Sequence, residues 1–301
     1  MFAAAILVFL PHLTKAVTFI PENDGLFSNG LVWGGYQASV LDITDPSQYE
    51  RFTQLSNVTN LYADNGDFNA SFSNYEFGSI APKDGNPAMR TWSSVSGVEF
   101  DLSFELSAPV LLNGGLGSFQ SVSSAVNEWS MPAGKTTGWL SLNDTKVTVN
   151  AQMSLTWYDR QWNGAPPSWT WFALLIESGK AGEDVTPMSI WSYNTTSGLG
   201  GLATIREAAG VQKVLPVASV QPSNRSYTSE ASGVVYPLDW VLELNDGTIL
   251  HVSSVRPDQE LPAAGKVAPA YEGYVTVKGT YKSGRKFKGY GVVEVTASAP
   301  A

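Results

Sequence analysis

The clearest pattern along the chain lies between Lys146 and Trp162. The odd positions Val147, Val149, Ala151, Met153, Leu155 and Trp157 are apolar, and the even positions from Lys146 to Thr156 are polar. Period-two alternation of this length predicts a long, half-buried antiparallel strand, because successive side chains leave a strand on opposite faces. Further strands are predicted at Leu31–Leu41, Val98–Leu106, Trp169–Ile176, Met188–Tyr193, Trp240–Leu244, Ile249–Val255, Tyr274–Lys278 and Tyr290–Thr296. Asn245-Asp246-Gly247 between two of these runs is a hairpin signal. Asn143-Asp144 and Ser283-Gly284 are weaker turn signals. One helix is predicted, over Ala203–Leu215. The 28 glycines and 17 prolines punctuate the strands as tight turns would. No repeat of roughly 20–50 residues is present, which disfavours propellers and solenoids. The fold class is therefore all-β, built of antiparallel barrels or sandwiches. At about 150 residues per domain, the length gives two domains or one large all-β domain. The boundary falls at Val185-Thr186-Pro187, separating residues 17–184 from 185–301.

Composition narrows the chemistry. The chain is 43% hydrophobic and 15% charged, too apolar for intrinsic disorder. Its 18 Lys and Arg against 27 Asp and Glu give a net charge of −9. Such a surface repels phosphate backbones, and there is no polybasic stretch for an anionic membrane. Neither nucleic acid nor a membrane anchor is expected as partner. The absence of cysteine excludes thiol catalysis, iron–sulfur clusters, cysteine zinc sites and disulfides. Only His12 and His251 are present, so no metal and no organic cofactor is expected. The apolar run Phe2–Leu10 is too short to span a bilayer and matches the core of a secretory signal peptide. Thr14 and Ala16 supply small residues before a cleavage site, which makes 1–16 the expected leader. Sequons begin at Asn57, Asn69, Asn143, Asn194 and Asn224. Together these features predict a secreted, extracellular glycoprotein.

Most local motifs lead nowhere. Gly114–Gly117 and Gly198–Gly201 do not sit in a strand–turn–helix context, so they read as loops rather than phosphate cradles. His251 lies in a strand pattern without a nucleophile elbow and reads as structural. No spacing selects a glycosidase carboxylate pair. One constellation remains. Continuing the parity of the long strand places Asp159 and Gln161 on the face of Trp157. Two readings stay open there. Asp159 is a buried carboxyl with a raised pKa, suited to a general acid or a hydrogen-bond donor; or a bulge near Tyr158, or an Asp159–Arg160 pairing at a barrel rim, removes it from the interior. Asn127, Trp129 and Met131 share a face in the same way. The ten tryptophans suit a cavity for an apolar ligand held by few polar anchors.

Thr156–Trp162, reading TWYDRQW, resembles the signature of the carotenoid-hydratase-like family. Glu128–Pro132, reading EWSMP, is similar to the tryptophan element upstream of it. Glu272–Val277 and Gly289–Glu294 resemble the family's C-terminal ending. The similarity runs from about Trp33 to Val295 and is strongest to the fungal branch of kievitone hydratases and Diels–Alderases, in particular the tropolone–sesquiterpenoid hetero-Diels–Alderases. It implies two lipocalin-like β domains. It also implies that Trp129 and Asp159 are retained site residues, while Asn127 and Trp157 replace the family's His and Tyr. Losing two polar groups for an aromatic wall suits a site that orients two apolar partners. The expected activity is thus a cofactor-free hetero-Diels–Alder cycloaddition between a polyketide- or tropolone-derived quinone methide and a terpene. A hydratase or dehydratase of a prenylated or isoprenoid compound is the alternative, and a non-catalytic lipocalin-type carrier the second. Tyr158, Asp159, Arg160 and Gln161 are the candidate catalytic residues. Trp33, Gln37, Trp92, Asn127, Trp129, Trp157, Trp162 and Trp191 are the candidate binding residues.

Overall fold

The computed structural model describes residues 33–57, 60–64, 67–83, 86–105, 110–122, 124–142, 144–162, 166–177, 185–207, 211–265 and 268–296. The expected leader, Asn143 and the side chain of Asn57 lie outside the described residues. The strands are β1 (Trp33–Leu41), β2 (Tyr49–Asn57), β3 (Asn60–Asp64), β4 (Asp67–Ser71), β5 (Tyr75–Lys83), β6 (Asn86–Val95), β7 (Val98–Glu105), β8 (Leu111–Leu112), β9 (Ser118–Gln120), β10 (Ala125–Leu142), β11 (Thr145–Thr148) and β12 (Thr156–Trp162). They continue as β13 (Trp169–Ile176), β14 (Thr186–Thr195), β15 (Gly198–Arg206), β16 (Gln212–Pro222), β17 (Ser226–Thr228), β18 (Val235–Pro237), β19 (Asp239–Leu244), β20 (Ile249–Ser254), β21 (Glu260–Leu261), β22 (Ala270–Thr280) and β23 (Lys286–Thr296). Among the described residues there is no α-helix, and the all-β expectation holds.

The chain divides into two compact units, and it passes between them more than once. Unit one takes residues up to 108, with 131–158 and 263–268; unit two takes 109–130, 159–262 and 269 onward. The boundary expected at Val185 falls inside unit two, because β13 and β14 on either side of it are hydrogen-bonded neighbours. In unit one, β11, the second half of β10, β7, β6, β5, β4 and β3 follow one another in a sheet, and β1 pairs with β2. Tyr36, Tyr75, Phe72 and Phe100 form its core, and the Tyr36 hydroxyl hydrogen-bonds Thr91 Oγ1 at 2.8 Å.

Unit two is built on a closed antiparallel barrel ordered β20, β19, β16, β15, β14, β13, β23, β22, with β22 pairing back to β20. Closure leaves no exposed edge along the main strands. Phe172, Leu174, Ile176, Met188, Ile190, Trp240 and Leu242 point inward, so the barrel interior is a packed hydrophobic core. Each such side chain contributes about 1.5–3 kcal/mol through burial. The outer face of β13 and β14 is covered as well. The Gly114 amide donates to Thr204 Oγ1, Tyr193 donates to the Gln120 carbonyl, and Phe119 packs 5.2 Å from Trp191. Burial on both faces explains why Trp169–Ile176 is almost continuously apolar rather than alternating.

Two expectations need correction. The described residues of Ala203–Leu215 form no helix: Ala203–Arg206 belong to β15 and Gln212–Leu215 to β16, which pair from Leu202↔Pro216 to Arg206↔Gln212. Ala203 and Ile205 enter the barrel core, and that burial overrides the local helix propensity of the sequence. The long strand at Lys146–Trp162 is interrupted by a 3-10 turn at Ala151–Met153. Asn150 caps the turn by accepting from the Gln152 amide, and Ser154 Oγ donates to the Thr136 carbonyl. These short polar side chains offer the backbone local partners that compete with the ladder, and Met153 is left exposed.

Candidate active site

The site is assembled on the outer face of the unit-two barrel. Strand alternation fixes which residues face it. On β13 and β14 the inward residues are Phe172, Leu174, Met188 and Ile190, so Trp169, Trp171, Ser189, Trp191 and Tyr193 face outward. On β23 the inward residues are Val293 and Val295, so Glu294 faces outward. Register then lines up one row across four strands: Glu272 is opposite Glu294, Glu294 opposite Trp171, and Trp171 opposite Trp191. The Trp171 indole N–H donates to Ser189 Oγ at 2.9 Å and so fixes its ring. Trp169 lies 5.9 Å from Trp191, forming an indole wall.

Glu128 on β10 is fully buried against this row, with both carboxyl oxygens lacking a hydrogen-bond partner. Asp159 on β12 is the fourth acid. Burial raises the Asp159 carboxyl from the usual range to about 7. Burial, reinforced by repulsion from Asp159 and Glu294, pushes Glu128 well above its ordinary value. Burial and Asp159 lift Glu294 to about 8, and Glu272 is raised by burial and by its neighbours Glu294 and Asp159. The indole N–H of Trp191 counteracts the shift of Glu128, and that of Trp169 the shift of Glu294. Neither N–H reaches full hydrogen-bond geometry. A carboxylate charge is costly in such surroundings, so these groups hold protons near neutral pH. Among the described residues, no three His, Asp or Glu side chains converge closely enough to hold a metal ion.

The structure sorts the residues singled out in the sequence. Asp159 and Trp191 meet through Glu128, since each influences its titration. Arg160 and Gln161 follow Asp159 on β12 and are half-buried, as is Trp157 on the face of Asp159. Tyr158 points the other way, where it packs in unit one against Phe77 and Phe104 at 5.6 and 6.1 Å. Asn127 and Trp129 pair with Ser118 and Leu112, on the face of β10 opposite Glu128. Gln37 and Trp92 belong to unit one, where Gln37 donates to Thr53 and Trp92 pairs with Asp101. The side chains of Trp33 and Trp162 lie outside the described residues. Glu128, Glu272, Glu294, Trp169 and Trp171 were not singled out from the sequence as site residues. The available signal was an acid inside an otherwise apolar run, as in Val292-Val293-Glu294-Val295.

The chain and its all-β fold have known relatives. The AttH-like family profile matches residues 35–298, and the chain belongs to that family. It is 36% identical over 217 residues to kievitone hydratase of Fusarium solani subsp. phaseoli, covering 69% of this chain and 60% of that protein's length. It is 31% identical over 270 residues to dehydratase asqC of Emericella nidulans, covering 86% of this chain and 76% of the relative. The crystal structure of kievitone hydratase from Nectria haematococca superposes with a TM-score of 0.77 at 30% identity, over 91% of this chain and 82% of that one. An AttH-like protein from Nitrosomonas europaea shares the fold, with a TM-score of 0.72 at 19% identity, over 98% and 86% of the two chains.

Proposed function

We propose that this protein is a hydro-lyase that adds water to, or removes it from, a prenylated or isoprenoid small molecule, with Asp159 as the proton donor. The observation that carries this reading is the cluster of three buried glutamates, Glu128, Glu272 and Glu294, around the half-buried Asp159. A carboxyl whose value is lifted to about 7 is protonated below that pH and can deliver its proton under mild conditions. In hydration the alkene π pair takes the Asp159 proton to form a C–H bond. Water's lone pair then closes on the cation, and the oxonium returns a proton to the carboxylate. Dehydration runs the same steps backward: Asp159 protonates the leaving hydroxyl, the C–O bond breaks, and the cation loses a neighbouring proton to the carboxylate. The relatives named as a hydratase and a dehydratase support this ahead of the cycloaddition expected from the sequence.

Turnover of kievitone, the compound in one relative's name, in water enriched in the heavy oxygen isotope tests the reading. Solvent oxygen entering the product at the rate of turnover is the expected result. A cycloadduct of a quinone methide and a terpene, formed with no exchange of oxygen, would overturn it. That second reading keeps one observation in its favour: Asn127 and Trp157 stand where the resemblance implies His and Tyr. We also propose that the protein enters the secretory pathway, on the strength of its apolar leader and the sequons at exposed Asn194 and Asn224.

A further inference from the structure

We infer that Glu128 is a positioning residue that shares protons with Asp159 and keeps that acid charged with a proton at pH values where an isolated buried aspartate would lose it. This inference rests on the hydro-lyase reading of Asp159 and assigns the supply of its proton. Glu128 is fully buried and both its oxygens lack a partner, so it cannot touch a substrate from solvent and acts through its neighbour. No cation compensates a charge there and the Trp191 indole N–H offsets burial only in part, which makes the neutral acid the stable form. Glu272 and Glu294, placed opposite one another by strand register, complete the reserve, and Glu272 Oε2 is likewise without a partner.

The titratable groups on the outward faces of the neighbouring barrel strands are Glu272 and Tyr274 on β22, Tyr290 and Glu294 on β23, Tyr193 on β14, and Arg206 at the far end of β15. Of these, Glu294 repels Glu128, and Asp159 repels both Glu272 and Glu294. Among the described residues, no cation contributes to the shift of any of the four acids. Two interacting carboxyls lose their protons in two separated steps that belong to the pair. Between those steps one proton remains for both oxygen sets. After Asp159 gives a proton to substrate, Glu128 can return one, and the oxonium proton released later restores Glu128. Atoms balance over the cycle, and both acids end as they began.

The test compares wild type, Glu128→Gln, Glu128→Asp and Glu294→Gln by two measurements. The first is infrared titration of the protonated carboxyl stretch in the protein alone. The second is the pH profile of kcat/KM with kievitone. In wild type the protonated band should persist above pH 7, and Glu128→Gln should remove the part that survives at pH 8. Whatever its absolute rate, Glu128→Gln should lose turnover about tenfold per pH unit above its midpoint, because a single acid then titrates alone. Its alkaline limb should therefore lie below that of wild type, and Glu128→Asp should restore it. Glu294→Gln should lower the retained band without abolishing it, and it serves as the second variant if Glu128→Gln does not fold. An unchanged band at pH 8 in Glu128→Gln would overturn the inference, as would alkaline limbs that coincide. The infrared result needs no substrate, so failure to turn over kievitone counts against the hydro-lyase reading and leaves proton sharing to be decided by the band.

Discussion

Replacing Glu294 by Gln should stabilise the protein, and the gain should grow with pH. Glu294 is buried on the barrel's outer face, where its carboxyl is raised from 4.5 to about 8. The direction of the linkage follows from that shift. In the unfolded chain the group ionises near its ordinary value, while in the fold it stays protonated to about 8. Its stability contribution is therefore fully present below the ordinary value and is lost as pH rises toward the folded one. Each unit in that window costs about 1.4 kcal/mol, so the whole lift corresponds to about 5 kcal/mol. Glutamine keeps the shape and never ionises, so the variant escapes this loss. Urea denaturation followed by tryptophan fluorescence, at pH 5, 6, 7 and 8, gives the difference directly. The two proteins should be closest at pH 5 and diverge steadily up to pH 8. A difference that stays constant across the range would show that Glu294 ionises normally in the fold and would refute the reasoning.

Two further expectations concern packing and processing. An alanine Cβ at position 291 would lie 1.9 Å from the Ala173 carbonyl oxygen, so Gly291→Ala must push β23 away from β13 and should cost roughly 1–3 kcal/mol by thermal denaturation. Expressed through a eukaryotic secretory route, the protein should carry glycans at exposed Asn194 and Asn224, while Asn69 stays bare because it is paired within β4 and accepts a hydrogen bond from Ser71; peptide mass mapping reads each site.

Much of the fold was legible because the barrel strands are marked by local chemistry. Trp169–Ile176 was bounded correctly as an apolar run. The Asn245–Gly247 hairpin is a tight turn in which Gly247 takes φ +82°, its amide donates to the Leu244 carbonyl, and Asp246 accepts from Thr248. Parity within Trp157–Gln161 placed Asp159 on the face of Trp157, and that spacing holds inside β12 even though the preceding strand is interrupted. What escaped was set by partners distant in sequence. Ala203–Leu215 reads as a helix locally, and only pairing such as Ile205↔Lys213 makes it a hairpin. Glu128, Glu272 and Glu294 each look like single acids at a strand rim. They become a cluster because both faces of the barrel wall are covered, a condition that alternation along one strand cannot reveal. The units exchange chain segments after 108, 130, 158, 262 and 268, which no composition shift marks.

The rate of kievitone conversion by Asp159→Asn at pH 6 tests the central claim most directly. Asparagine preserves the volume and can still donate a hydrogen bond, but it cannot deliver a proton. If Asp159 is the acid, conversion should fall by roughly 10²–10⁴-fold while the variant keeps its fold. Conversion at the wild-type rate, with solvent oxygen still entering the product, would contradict the assignment of Asp159 as the proton donor.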